Sequence, residues 1–134
     1  MKTFAILILA LLASCAHAPA HKIVFAQLPP PASSTEEVWL TGGASGYLVI
    51  DNGCLRIRSA ETGALHTPYW HSAFELVTNN RGVGVHSKVT GKTYLIGTFV
   101  RVGGGAMDSA TARNIDPVAA QQCGEPFAST WISE

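Results

Sequence analysis

The chain has 134 residues, with nine Lys and Arg, nine Asp and Glu and five His, for a formal net charge of zero at pH 7. Charge this sparse and balanced excludes a broad electrostatic nucleic-acid surface, which needs clustered Lys and Arg, and equally excludes a polybasic membrane patch. The length suits a single domain.

The N-terminus reads as an address. Met1-Lys2 is a short positive start, and Thr3 to Ala13 is almost wholly apolar. That run has the length of a signal h-region and is too short to span a bilayer as a mature helix. It ends in Leu12-Ala13-Ser14-Cys15, which is similar to a bacterial lipobox. The resemblance implies removal of residues 1–14 and a lipid anchor of fatty acyl chains, palmitate among them, at Cys15. Ala16 stands where an aspartate would signal inner-membrane retention in many Gram-negative bacteria, so the outer membrane is implied for such a host. Two A-x-A patterns, Ala16-His17-Ala18 and Ala18-Pro19-Ala20, keep open the alternative of a secreted or periplasmic chain.

Residues 15–38 read as a tether. Leu28-Pro29-Pro30-Pro31 begins its middle, and three consecutive prolines favour extended polyproline II and exclude helix. Within it, Ile23 to Ala26 is a short strand, a contact with the domain, or an apolar cluster in a spacer.

Residues 39–134 form the domain, and from Trp39 onward the pattern is short strands between turn signals. Gly46 to Ile50 is the first strand. Asp51-Asn52-Gly53 follows, and Asn-Gly accepts the positive φ values of a tight hairpin. The return strand, Cys54 to Arg58, alternates: Leu55 and Ile57 face one side, Cys54, Arg56 and Arg58 the other. A disulfide at Cys54 therefore belongs on the outer face. Leu65 to Trp70 is a third strand, expected to break at Pro68, and Ala73 to Thr78 a fourth. Val83, Val85 and Val89 alternate with Gly84, His86 and Lys88, a half-buried strand. Thr93 to Val100 is apolar on both faces and expected to be one central strand, ended by Gly103-Gly104-Gly105. Asp116-Pro117 caps and starts a short helix through Gln122. A last strand covers Phe127 to Ile132. The expected fold is all-β, a small barrel of five or six strands with a short helix before the last, since closure removes exposed edges.

With Cys15 lipidated, Cys54 and Cys123 remain. Outside the cytoplasm two such cysteines most often pair. The bridge would close a loop of about 70 residues, for which chain entropy credits roughly 4 kcal/mol. No CxxC pair supports a metal site instead, and no cofactor is expected.

The run Gly46-Tyr-Leu-Val-Ile-Asp-Asn-Gly-Cys-Leu-Arg56, then Tyr94-Leu-Ile-Gly97, Val100-Arg-Val-Gly-Gly-Gly105, Cys123 and a closing aromatic strand resembles small bacterial envelope lipoproteins with an OB-like domain. The resemblance covers about 90 residues and implies a fold, not an activity. One departure is the helix, which lies before the last strand rather than between the third and fourth.

Chemical motifs are weak. Gly91-Lys92-Thr93 lacks the earlier glycine of a phosphate loop, since His86 stands there. Ser45 lacks the nucleophile-elbow glycine order. His66, His71 and His86 fit no compact metal spacing. The better candidates are aromatic: Tyr69, Trp70 and Phe74, flanked by His66 and His71, are expected either to stack on a ligand or to pack the core. With neutral charge and an envelope address, a glycan, a peptide or an envelope protein is expected as partner, and nucleic acid is not. The expected role is thus a lipid-anchored, non-enzymatic binding or structural module. The alternatives are a small envelope hydrolase using His71 with Glu61 or Glu75, and an inhibitor or adaptor of a larger envelope enzyme.

Overall fold

A computed structural model describes residues 21–32 and 42–133. Cys15 and the leader lie outside the described residues, as does the tether beyond Ala32.

Five strands close into a ring. They are β2 (Gly42–Asp51), β3 (Cys54–Ser59), β4 (Leu65–Trp70), β8 (Phe99–Met107) and β9 (Phe127–Ser133), joined in the order β4-β3-β2-β8-β9 and closed by β9 pairing back to β4. The closing pair is parallel and the others are antiparallel. The Asn52-Gly53 turn joins β2 to β3, both residues at positive φ (49° and 74°), as the hairpin signal requires. Strand β1 (Ala26–Gln27) fills a gap. β3 and β4 pair only at Ile57–His66 and Arg58–Leu65. Where they part, Val24 bridges to Cys54, and Ala26 and Gln27 pair with Tyr69 and Trp70. Ile23 to Leu28 is therefore part of the domain rather than spacer.

Alternation sorts the ring into an inside and an outside. Leu48, Leu55, Ile57, Trp70, Val100, Val102 and Ile132 are buried in one cluster. A three-stranded sheet, β5 (Phe74–Asn79), β6 (Gly82–Ser87) and β7 (Thr93–Leu95), adds Phe74 and Val85 to that cluster. Outside the ring, α1 (Ser109–Ile115) and α2 (Pro117–Cys123) pack Ala112, Ala119 and Ala120 on Tyr69 and Phe127. Asp108 caps α1 by accepting the Thr111 amide proton at 2.9 Å, and Asp116 caps α2 by accepting that of Ala119 at 2.9 Å.

Four expectations need correction. The run Thr93–Val100 is not one strand: β7 and β8 belong to different sheets, parted at Ile96-Gly97-Thr98. The glycine triplet does not end β8, which runs through it to Met107. Those glycines permit close approach: a Cβ on Gly103 would run into the Trp131 indole, and one on Gly104 into Ser129 O. β4 does not break at Pro68, because β3 pairing has already stopped at His66 and no ladder proton is needed there. The chain before β9 holds two helices rather than one; α1, only seven residues long, has too little periodicity to announce itself.

Cys54 and Cys123 are joined by a disulfide across a separation of 69 residues. It lies on the outer face, as the alternation predicts. That face is not solvent, however: Cys54 is fully buried, because α2 ends against it.

Candidate functional site

The structure separates the aromatic and histidine residues singled out above. Tyr69 points outward under the helices and Trp70 inward, both fully buried, and Phe74 is 3 % exposed. Trp70 stacks on Phe25 at 5.8 Å and meets Phe74 at 6.0 Å. These rings are packing residues, and none presents a face to a ligand. The Trp70 Nε1–H is buried with no acceptor among the described residues. Tyr69 donates its hydroxyl proton toward two helix-end carbonyls, Ala112 O at 3.0 Å and Asp116 O at 3.1 Å. Burial, and then the nearby Asp116 carboxylate, raise its phenol above the ordinary tyrosine range. The Thr111 amide and hydroxyl hold the Asp108 carboxyl below its ordinary value.

The histidines part as well. His71 closes the turn after β4, its Nδ1 accepting the Ala73 amide proton at 3.1 Å. Glu61 lies in the β3–β4 turn, while Glu75 stands on β5 opposite His86. His86 Nδ1 is 2.9 Å from Thr93 Oγ1 on the same sheet. His66 is half-buried at the open end of the ring. There Ile57, Ser59, Pro68, Val102 and Thr130 surround a recess of about 100 Å³. The recess is mostly apolar, with three hydroxyl residues (Ser45, Ser59 and Thr130) and one imidazole in its lining, and can take a small aliphatic group. Among the described residues no three His, Cys, Asp or Glu side chains gather to hold a metal ion.

Two exposed aromatic rings lie elsewhere, on the outer wall of β3, β2, β8 and β9. Ladder register places its side chains in rows. Arg58, Tyr47 and Phe99 form one row across β3, β2 and β8, and Ser45, Arg101 and Ser133 form the next across β2, β8 and β9. Tyr47 is 44 % exposed and Phe99 47 %, and their rings meet edge to face at 5.5 Å. A shallow groove of about 450 Å³ continues past Phe99 and Arg101, walled by Lys92, Tyr94 and Ser133.

Arg58 and Arg101 are exposed and make no ion pair or hydrogen bond with a described residue. Of the six described acids only Asp51 shares this outer face, four residues from Tyr47 along β2. Asp51 is 3.5 Å from Arg56, Glu61 sits in a turn, Glu75 is on β5, Asp108 and Asp116 cap helices, and Glu125 precedes β9. The arrangement presents aromatic surface with two flanking guanidinium groups, so it can stack on a flat apolar face and pair with an anion.

Sequence reasoning missed this site although the signal was present. Tyr47 has the opposite parity to Leu48, and Phe99 and Arg101 the opposite parity to Val100 and Val102. Reading Thr93–Val100 as one central strand buried Phe99 in the argument.

No protein-family model, no curated protein and no solved structure matches this chain. Function must therefore be read from the site.

Proposed function

We propose that this chain is a binding module of the bacterial cell envelope, anchored by lipid at Cys15, whose outer ring wall holds an envelope glycan. The observation that carries the binding role is the exposed Tyr47–Phe99 pair on a wall whose strands are already fully paired. Exposed rings on a rigid sheet give contact area at low entropic cost. The anchor rests on Leu12-Ala13-Ser14-Cys15 and the apolar run before it. Binding is preferred to hydrolysis because the His71 Nδ1 is engaged by the Ala73 amide and lies in a turn, not in a recess.

Two measurements test this reading. An intact mass starting at Cys15 plus acyl chains supports the anchor, and a soluble chain starting near Pro19 or His21 removes it. Electrophoresis through gels containing the host's envelope polysaccharide tests the wall. Retardation lost in the Tyr47→Ser/Phe99→Ser double variant supports binding there. Retardation absent from the wild type, or unchanged in the variant, refutes it.

A further inference from the structure

Resting on the binding-module reading above, we infer that the exposed wall selects a carboxylated glycan, an extended sugar polymer whose acid groups pair with Arg58 and Arg101 while its sugar faces lie on Tyr47 and Phe99. Four observations converge on this class of ligand.

Shape comes first. The wall is a sheet surface with a shallow groove rather than a closed pocket, which suits a chain lying across strands more than a small molecule. Ring chemistry comes second. Sugars present apolar C–H faces to aromatic rings, and the edge-to-face Tyr47–Phe99 pair offers one such platform between the two arginines.

Charge comes third. Two exposed guanidinium groups flank the platform, and the one described acid on the same outer face, Asp51, stands four residues from Tyr47 against Arg56, so the wall around the rings is locally cationic on a chain of zero net charge. A planar guanidinium fork matches a carboxylate in bidentate geometry. Phosphate sites commonly add backbone N–H groups from a helix N-terminus or nest. Here the β2, β8 and β9 amides face neighbouring strands in the ring ladder. Two arginines without a lysine run also fall short of the charge that a nucleic-acid backbone demands.

Spacing comes fourth. Arg58 on β3 and Arg101 on β8 are two strands apart and offset by two pairs along the strand. Strand spacing and rise put their Cα atoms roughly 12 Å apart. That exceeds the length of one sugar ring, so the two guanidinium groups read acid groups on separate sugars.

The test is calorimetric titration of the full chain with galacturonate oligomers, their neutral methyl esters, oligo-dT and anionic phospholipid vesicles. Galacturonate is expected to bind, with affinity falling as salt rises. The ester, Arg58→Gln and Arg101→Gln should each weaken binding about tenfold, the size of one charge-assisted contact. Unchanged thermal unfolding of these exposed variants would show that the fold is kept. Equal affinity for acid and ester, or indifference to both arginine substitutions, overturns the inference while leaving a neutral-glycan module standing. Tighter binding of oligo-dT or of vesicles than of galacturonate overturns it in favour of those partners. Failure of acid and ester alike overturns it together with the glycan reading on which it rests.

Discussion

The outer wall of the ring has two halves built on the same alternation, and only one is covered. On the first half of β3 and on β4 the outward residues Cys54, Arg56, Thr67 and Tyr69 are each at most 9 % exposed, under the helices and the segment before β9, while Arg58 at the far end of β3 belongs to the bare wall. Most of their polar atoms are tied to backbone, although Arg56 Nε is buried without a partner among the described residues. Arg56 donates to Leu65 O and Glu125 O, Thr67 to Gly124 O, and Tyr69 to helix-end carbonyls. On β2 and β8 the outward Tyr47, Phe99 and Arg101 are exposed, and the Arg101 guanidinium makes no ion pair or hydrogen bond with a described residue. Among the described residues the two short helices cover one half only. The covered half spends its polar groups on internal satisfaction. The bare half keeps rings and cations facing water, the arrangement on which the proposed binding role rests.

Breaking the cover should give the largest effect on stability. Replacing Cys54 and Cys123 together by Ala releases α2 from β3 and is expected to lower unfolding stability by about 4 kcal/mol, the chain-entropy estimate for a loop of this length. Against typical domain stabilities of about 5–15 kcal/mol, that is a large fraction. Urea denaturation of wild type and variant measures it. A loss below about 1 kcal/mol would mean that the helices hold without the staple, and the two halves would then differ less than the burial pattern indicates.

How much of this contrast could be read from residues follows the physics of each signal. The β2–β3 hairpin was legible because Asn52-Gly53 determines the turn and Leu55 and Ile57 determine the parity. The disulfide was legible from Cys54 and Cys123, the two cysteines left once Cys15 is expected to carry lipid. Which outer half would be covered was not legible. Cover depends on α1 and α2, two seven-residue helices, and on a 23–28 segment whose strand character appears only once β3 and β4 diverge. The same gap hid the site. Tyr69, Trp70 and Phe74 cluster in sequence, but on a strand with both faces covered adjacent residues point to opposite cores. Tyr47 and Phe99 are far apart in sequence and adjacent only through the β2–β8 register.

A finer probe of the covered half is Tyr69→Phe, which removes one hydroxyl from beneath the helices. At neutral pH it should cost about 1–2 kcal/mol, the range for a buried hydrogen bond whose acceptors lose a donor. The pH dependence has a definite sign. The folded phenol titrates above the unfolded one, so its contribution is complete below about pH 10, the ordinary tyrosine value, and falls as pH rises through the folded value. The wild type's advantage over the variant should therefore shrink above pH 10. Denaturation midpoints of both proteins from pH 7 to 11 test this, and a constant gap would mean that the hydroxyl is not held under the helices as described.

The smallest stability effect belongs to the bare half, and its smallness is the point. Tyr47→Ser with Phe99→Ser removes an edge-to-face pair that is nearly half exposed. Such a pair contributes about 0.5–1.5 kcal/mol, and much of that is offset because the rings already face water. A net loss of about 1 kcal/mol or less is expected in the same denaturation assay. If the loss instead matched that of the disulfide variant, the pair would be a packing element and the wall would need no partner to explain it. If the loss is small, two large aromatic rings stand on the surface contributing little to the fold. Among the described residues no helix or strand covers that wall, so a small loss would leave the proposed binding role as the account of the rings.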